Sequence, residues 1–271
     1  MSPPVDKNGP SFVWTLYQQG KLTVPEATFW MNLDSIALSS VTLGGTPAGA
    51  TKSEYIEQSL VATYNSWWTM KLADCKVGDT SIIGTTKHAI SDTGTSLLYL
   101  AESDYSGFQQ MVMAASPDFT CTSPFYDFCY TNLNTCDVYY AKLKPVTLVL
   151  EANEYTISPE GYALSNGSLG GHKCSLAVSW VQDSMGLYIL GDTFLRNFVT
   201  SYDYKNRKIK MAINTHAPAG VIAVSNPTDL NSMYLIGGVA AAIILAYCCC
   251  RKKEDKSKFI QTNKTVLSSE Y

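Results

Sequence analysis

An aspartate in a glycine-containing loop between two apolar runs constrains this chain more than any other feature. The loop reads Asp-Thr-Gly-Thr-Ser at residues 92–96, with Ala-Ile-Ser before it and Leu-Leu-Tyr after it. Glycine permits a tight turn and the close approach of a ligand's main chain. The hydroxyl groups of Thr93, Thr95 and Ser96 can hydrogen-bond a carboxylate in such a turn. We therefore predict that Asp92 is held on a rigid loop; the alternative is an ordinary β-turn that contains Asp and Gly.

Composition favours a mostly β globular part without a nucleic-acid partner. The 271 residues can bury a sizeable core, as one large domain or two ordinary ones. The 17 tyrosines, with abundant Thr and Ser and scarce helical periodicity, are typical of β proteins. The formal net charge of -3 gives no sign of nucleic-acid binding, and the basic residues are scattered except in a C-terminal tail.

The eight cysteines fall into two groups. Those of the main part are Cys75, Cys121, Cys129, Cys136 and Cys174. Three more form a run at residues 248–250. Five scattered cysteines suit an oxidising compartment, with two disulfide bridges and one cysteine left over. No Cys-x-x-Cys pair is followed by histidines, so we predict no metal site.

Alternating apolar residues predict strands upstream of the loop. Residues 12–20 predict a packed element that ends at a glycine, and residues 29–43 predict strands that lead into a tight Leu-Gly-Gly turn. Trp68, Met70 and Leu72 alternate with Thr and Lys. This alternation indicates a strand with one face buried.

Downstream of the loop the apolar period changes. Ser103 can cap a helix whose apolar residues recur at helical spacing until Ser116-Pro117 ends it. Residues 146–150 predict a strand, and residues 199–213 predict a hairpin.

A second apolar strand ends in Gly-Asp. Residues 187–190 are apolar and lead into Gly191. Asp192 can cap a short helix over residues 193–198, because a carboxylate at that position accepts hydrogen bonds from the first helical N–H groups.

One C-terminal stretch is long and apolar enough to cross a membrane. Residues 233–250 carry no charge, and Arg-Lys-Lys follows at 251–253. This length is near the lower limit for a transmembrane helix, and a buried core helix is the alternative. Basic residues on the C-terminal side place the tail in the cytoplasm and the main part in the lumen or outside the cell. The cysteines at 248–250 are candidates for palmitoylation, or are simply small apolar residues at the membrane edge.

Taken together, these motifs resemble the C-terminal lobe of a pepsin-like aspartic protease. The residues at 92–96 are similar to the family's second catalytic motif, and Ile-Leu-Gly-Asp-Thr-Phe-Leu-Arg-Asn at 189–197 resembles the strand and helix that cross beside that motif. Other short segments match in order and spacing: 19–22 (between the lobes), 43–45 (Phe-Gly-Gly-like turn), 68–70 (Trp-bearing strand) and 202–204 (closing hairpin). The resemblance covers roughly residues 10–214.

The resemblance implies a fold and a set of site residues. The fold would be mostly β, the C-terminal lobe of a bilobal acid protease with short helices, followed here by a C-terminal transmembrane helix. Asp92 would be catalytic. Gly94 and Thr95 would contact the substrate backbone, and Ser96 would support this substrate-binding loop.

The resemblance also bears on the cysteines. Cys136 and Cys174 lie where the family carries a bridge across a strand hairpin, which implies that they pair. Cys121 and Cys129 would then form a local pair, and Cys75 has no clear partner.

The family hydrolyses peptide bonds without a cofactor, by means of a water held between two aspartates. Two carboxyl groups that close cannot both ionise comfortably, so they share one proton. The chain has no second Asp-Thr-Gly or Asp-Ser-Gly, since Asp183-Ser184-Met185 lacks the glycine. We therefore expect an N-terminally truncated chain that lacks the N-terminal lobe and is inactive alone.

Two other interpretations remain open. In one, two copies of the chain pair and each supplies one aspartate, as in retroviral proteases. In the other, the chain is a non-catalytic, membrane-tethered binding module. In the first interpretation the substrate is still a peptide or protein. In the second the chain has no substrate, and the membrane is the partner that the sequence predicts.

These expectations divide the chain into five parts: a polar lead-in (1–10), the lobe with its interlobe segment (11–216), a linker (217–232), a transmembrane helix (233–250) and a cytoplasmic tail (251–271). The chain would be a single-pass type I membrane protein of the secretory, endolysosomal or vacuolar pathway or of the cell surface. Asn166 begins an Asn-Gly-Ser sequon and is a predicted glycosylation site if the lobe is lumenal.

Overall fold

The computed structural model describes residues 11–32, 39–64, 66–121, 127–165 and 167–225, and these ranges are mostly β. Their strands are β1 (Glu26–Trp30), β2 (Ser40–Leu43), β3 (Ile56–Ser59), β4 (Thr69–Val77), β5 (Thr80–Ser81), β6 (His88–Ser91), β7 (Leu98–Ala101), β8 (Tyr130–Thr131), β9 (Val146–Leu150), β10 (Asn153–Ile157), β11 (Ala163–Ser165), β12 (Cys174–Leu176), β13 (Val178–Val181), β14 (Leu187–Leu190), β15 (Phe198–Asp203), β16 (Lys208–Ile213) and β17 (Ile222–Ser225). The α-helices are α1 (Phe12–Gln18), α2 (Glu102–Ala115), α3 (Pro159–Tyr162) and α4 (Asp192–Leu195). Two short 3-10 helices cover Cys136–Val138 and Asp183–Met185.

The strands of the described residues form three sheets. The largest has the order β13-β7-β14-β6-β4-β9-β10-β17, with β5 paired to β4. A five-stranded sheet has the order β2-β1-β15-β16-β3, and a small sheet has the order β11-β12-β8. Strand β14 runs parallel to β6 and antiparallel to β7. Because β14 lies between them, the loop that joins β6 to β7 has to pass around one end of β14.

Strand β4 confirms the alternation read from the sequence. Met70 and Leu72 are fully buried and Trp68, just before the strand, is nearly so, whereas Lys71 is exposed. Thr69, on the opposite face from Met70, departs from the expected pattern because it is buried as well. Successive side chains of a strand point to opposite faces, so one face of β4 lies in the core.

The predicted hairpin at 199–213 is also confirmed, as β15 and β16. All six residues of β15 are buried, because the strand pairs with β1 on one side and β16 on the other. Asp203 closes the turn: one carboxylate oxygen accepts from the backbone N–H groups of Lys205 and Asn206 at 3.0 and 2.9 Å.

Further upstream, the predicted packed element is the helix α1. Ser11 caps it, since its hydroxyl accepts from the Trp14 N–H at 3.3 Å. Only Val13 of this helix is buried, and Phe12 is 66% exposed. The strands expected over 29–43 are β1 and β2, whose pairing is antiparallel.

Helix α2 ends at Ala115, directly before Ser116-Pro117 as predicted, but Ser103 is not its cap. The helix begins at Glu102, and its N-cap residue is Ala101. A carboxylate from elsewhere supplies the missing acceptor: Asp183 Oδ1 accepts from the Ser103 N–H at 3.0 Å and from its hydroxyl at 3.1 Å. The sequence prediction failed here because the capping group is 80 residues away along the chain.

Two disulfides join the pairs expected from the resemblance. Cys121 is bonded to Cys129, and Cys136 is bonded to Cys174. Cys75 is a free, fully buried cysteine on β4. Burial raises the pKa of its thiol, which therefore stays protonated.

Several predicted features lie outside the described residues: the lead-in 1–10, Asn166, the stretch 233–250 and the tail 251–271. Within the ranges that the structure describes, no helix is long and apolar enough to cross a bilayer. Part of the segment predicted as a linker is the strand β17, which pairs with β10 at the edge of the large sheet.

Candidate active site

The backbone of the Asp92 loop is hydrogen-bonded to the end of β14 and to the residues that follow it. The Asp92 N–H donates to the Leu190 carbonyl at 3.1 Å. From the other side, the N–H groups of Asp192 and Thr193 donate to the carbonyls of Thr95 and Ser96 at 2.7 and 3.0 Å. The Thr193 hydroxyl adds a further bond to the Ser96 carbonyl at 2.9 Å. Both ends of the loop are thus hydrogen-bonded to one continuous segment, the end of β14 and the start of α4.

Gly191 permits this close approach. A Cβ atom at this position would overlap the carbonyl oxygens of Thr95 and Leu97. The backbone of the loop therefore occupies the space that any other side chain would need. Glycine in the Gly-Asp sequence after β14 is required by the packing of two backbones.

Both oxygens of the Asp92 carboxylate are held by the loop itself. The Gly94 N–H donates to Oδ1 at 3.0 Å, and the Thr95 hydroxyl donates to Oδ2 at 2.7 Å. Asp92 is half-buried, and Gly94 beside it is exposed. The carboxylate is therefore fixed in orientation and open on one side, which suits a group that accepts and returns a proton.

The structure separates the roles of the other loop residues. Of the hydroxyl groups expected to hold the carboxylate, that of Thr95 does so. Ser96 is exposed and contributes its backbone carbonyl, which accepts from Thr193. Thr93 is half-buried.

Asp192 is a second carboxyl group of the site, and the sequence prediction assigned it a different role. It is the first residue of α4, with Gly191 at the N-cap, and the helix ends at Leu195, before the predicted position 198. One oxygen of its carboxylate, Oδ1, has no hydrogen-bond partner among the described residues. Its backbone N–H donates to the Thr95 carbonyl.

Three effects change the pKa of the Asp192 carboxyl, and they do not all act in the same direction. Burial raises the pKa of its carboxyl above the ordinary value, the nearby Arg196 lowers that pKa, and the negative charge of Asp92 raises it again. The two carboxyl groups therefore interact electrostatically. In the sequence, the feature that could have indicated the proximity of Asp192 to Asp92 is the Gly-Asp pair directly after β14.

No group of three or more His, Cys, Asp or Glu side chains that could hold a metal ion occurs among the described residues.

The chain is similar to known proteins over most of its described length. A family model described as eukaryotic aspartyl protease matches residues 3–214. Gastricsin of Callithrix jacchus is 26% identical over 205 residues, which are 73% of this chain and 48% of that protein. Cathepsin D of Dictyostelium discoideum is 26% identical over 153 residues, or 55% of this chain and 37% of that protein. Cathepsin E of Cavia porcellus is 29% identical over 154 residues, or 55% and 36%.

The fold is also similar to that of a solved structure. The crystal structure of an aspartic proteinase from Irpex lacteus aligns with a TM-score of 0.65 and 20% sequence identity, covering 78% of this chain and 62% of that one. At this identity the likeness concerns the fold. The chain spans about half the length of the gastricsin and just over a third of the length of the two cathepsins.

Proposed function

The chain belongs to the eukaryotic aspartyl protease family, and from that premise we propose that Asp92 is one of the two aspartates of an aspartic endopeptidase. One observation carries the proposal. Both oxygens of the Asp92 carboxylate accept hydrogen bonds from its own loop, while one side of the group stays open. A carboxylate that is fixed in orientation and open on one side can accept a proton from a water and return it.

In the proposed reaction two carboxyl groups share one proton and hold a water between them. The ionised carboxylate takes a proton from the water as its oxygen attacks the scissile carbonyl carbon. The protonated carboxyl donates a hydrogen bond to the carbonyl oxygen, where negative charge develops. The two carboxyl groups titrate as a pair, so the shared proton cannot be assigned to either residue.

We propose that the second aspartate comes from an N-terminal lobe outside these 271 residues. The chain contains a single Asp-Thr-Gly and no Asp-Ser-Gly. Its length, about half that of the gastricsin it matches, supports the same view. The chain alone would then be inactive, because a lone carboxylate has neither a proton-sharing partner nor an enclosed water.

The same loop is proposed to bind the substrate, a peptide or unfolded protein. Gly94 is exposed next to the carboxylate and Thr95 is half-buried, which supports contact between this part of the loop and an extended peptide. Ser96 supports the loop through its carbonyl. No cofactor is needed for this chemistry.

We further propose that the lobe is lumenal or extracellular and anchored by residues 233–250. Two disulfides in the described part support an oxidising compartment. The uncharged stretch and the Arg-Lys-Lys that follows it support a single-pass type I topology with a cytoplasmic tail. Asn166 would then be open to glycosylation.

The test begins with the 5′ end of the native transcript and the protein that it encodes. We expect a first lobe with its own Asp-Thr-Gly or Asp-Ser-Gly, and hydrolysis of an unfolded protein substrate in acid. Asp92→Asn should lower kcat by about 10²–10⁴-fold, since a positioned proton-transfer group is lost. Asp79→Asn, the same change in an exposed turn, should leave kcat unchanged. Hydrolysis that survives Asp92→Asn refutes the proposal.

A non-catalytic, membrane-tethered binding module is the second candidate. It is favoured by the presence of only one aspartate motif in 271 residues. If the transcript encodes no first lobe and the chain hydrolyses no peptide, either alone or as a pair of copies, this candidate replaces the first.

A further inference from the structure

A buried pair of hydroxyl groups lies directly behind the loop that carries Asp92. Ser91 is the last residue of β6, and Tyr202 lies within β15; their side-chain oxygens are 2.6 Å apart and hydrogen-bonded. Ser91 is 6% exposed and Tyr202 is 2% exposed. Since β6 belongs to the large sheet and β15 to the five-stranded sheet, this bond joins the two sheets at the start of the loop.

Trp68 holds both partners of this bond. Its backbone carbonyl accepts from the Ser91 N–H at 3.0 Å. Its ring packs on the Tyr202 ring with 5.0 Å between centroids, and Phe29 contacts the same ring edge-on at 5.7 Å. The tyrosine hydroxyl is therefore aimed at Ser91 by packing as well as by its own bond.

Stability alone gives no reason for a polar pair at this place. Ser91 follows the apolar residues Ala89 and Ile90 in β6, and two apolar side chains of the same shape in place of the hydroxyl pair would cost little. A buried hydroxyl, in contrast, is costly unless it is bonded, so it penalises any displacement that breaks the bond. What the pair adds is a preference for a single position of the strand end.

We infer that Ser91 and Tyr202 are positioning residues for Asp92, which keep the start of its loop at one place between the two sheets. Asp92 follows Ser91 directly, and its carboxylate must stay within reach of the Gly94 N–H and the Thr95 hydroxyl. A shift of about 0.5 Å is enough to spoil such an arrangement. The catalytic consequence of this inference rests on the proposed function; the geometric one does not.

The hydroxyl pair stays neutral over the pH range in which carboxyl groups titrate. Burial raises the pKa of Tyr202, the bond from Ser91 lowers it, and the nearby Tyr204, Asp92 and Asp192 raise it again. The net direction is upward, so the tyrosine does not ionise in acid or neutral solution. The restraint on the loop is therefore the same in every protonation state of the carboxyl groups.

The experiment measures amide hydrogen exchange by NMR in the 271-residue chain. Tyr202→Phe keeps the packed ring and removes one oxygen. We expect exchange at the Asp92 and Gly94 amides to become about five- to tenfold faster, the factor that a buried hydrogen bond of about 1 kcal/mol gives. Tyr155→Phe is the matched control, because it also keeps the packed ring, and the hydroxyl that it removes accepts from Gln58 of β3 at 2.8 Å instead of bonding a residue next to the loop. In that control the two amides should exchange as in the wild type.

Variants at Ser91 complete the test. Ser91→Ala should accelerate exchange at the same two amides, and Ser91→Thr, which keeps a hydroxyl, should retain most of the protection. In the double variant Ser91→Ala with Tyr202→Phe, exchange should be no faster than in the single variant with the larger effect. If Ser91→Ala fails to fold, Tyr202→Phe carries the test. Exchange within twofold of the wild type in Tyr202→Phe, or equal acceleration in Tyr155→Phe, overturns the inference.

The catalytic readout separates this inference from the proposed function. In the protein with both lobes, Tyr202→Phe should lower kcat about five- to tenfold with KM within twofold, because substrate contacts are intact while the carboxylate is misplaced. If the wild type hydrolyses nothing, the proposed function fails, and the amide exchange still decides whether Ser91 and Tyr202 position the loop. Hydrolysis with unchanged amides in the variants supports the function and overturns the positioning role.

Discussion

At the residue scale, the site contains two half-buried carboxyl groups whose surroundings differ. Each oxygen of Asp92 accepts a hydrogen bond from the loop. One oxygen of Asp192 is buried without a hydrogen-bond partner among the described residues. A buried polar atom without a partner costs free energy. Asp192 is therefore held in place by its backbone at the expense of its side chain.

Replacing Asp192 by Asn should make the protein relatively more stable at neutral pH than in acid. Burial and Asp92 raise the pKa of the Asp192 carboxyl, so the folded state binds its proton more tightly than the unfolded state does. The stability that this gives is present below the ordinary carboxyl range and is lost as pH rises through the raised pKa. Asn has no charge to lose. The melting temperature of Asp192→Asn minus that of the wild type should therefore be higher at pH 7 than at pH 3.

The difference should be no more than about 2–4 °C, because solvent screens a half-exposed group. Calorimetric melting at the two pH values measures it, and Asp79→Asn, an exposed carboxylate, is the control. A melting difference that is the same at both pH values, or larger in acid, contradicts the assignment.

At the element scale, the loop depends on the strand that crosses between its two flanking strands. Strand β14 pairs with β6 on one side and β7 on the other, and its end supplies the groups that hold the loop backbone. Helix α4 begins at once and is only four residues long. Neither element would be stable alone; each is fixed by contact with the other and with the loop.

A side chain at Gly191 should separate this crossing strand from the loop. Gly191→Ala places a Cβ against the carbonyls of Thr95 and Leu97. This part of the loop cannot move without breaking the bonds from the Asp192 N–H to the Thr95 carbonyl and from the Thr193 N–H to the Ser96 carbonyl. We expect a loss of about 3 kcal/mol or more in the free energy of unfolding, measured in urea. Gly20→Ala is the control: it has a left-handed φ of 69° but open space, and should cost about 1–2 kcal/mol. If Gly191→Ala lowers the free energy of unfolding no more than Gly20→Ala does, the loop can shift to make room for the side chain.

At the scale of the whole molecule, the large sheet and the five-stranded sheet meet behind the Asp92 loop, and two disulfides join other parts of the described chain. The disulfides close loops of different length: the bonded cysteines are 38 residues apart in one case and 8 in the other. All four are buried. The pairs are therefore matched in burial and differ chiefly in how much they restrict the unfolded chain.

Removing the long-range disulfide should cost more than removing the local one. In the chain-entropy account, Cys136→Ala with Cys174→Ala loses about 4 kcal/mol, and Cys121→Ala with Cys129→Ala loses about 2.5 kcal/mol. Unfolding in urea under non-reducing conditions measures both losses. If the local pair costs as much as the long-range pair, native-state packing outweighs the entropy of the unfolded chain here.

Where sequence patterns were local, the structure agrees with them. The alternation around Met70, the hairpin at 199–213 and the end of α2 before Ser116 all depend on residues close in the chain. The start of α2 was predicted wrongly, since its cap comes from Asp183. The role of Asp192 was also misjudged, because its backbone N–H is bonded to Thr95 across the crossing of β14.

The sequence by itself determined the β class, the Asp-Thr-Gly-Thr-Ser loop as the candidate site and, through its resemblance to a family, the partners of the disulfides. These depend on residue type, period and order along the chain. Only the tertiary structure decided which groups meet at the loop: Gly191 beneath it, Asp192 beside Asp92, and Tyr202 behind Ser91. Each of these contacts joins residues about a hundred positions apart, and no local pattern encodes a contact that exists only after the sheets have packed.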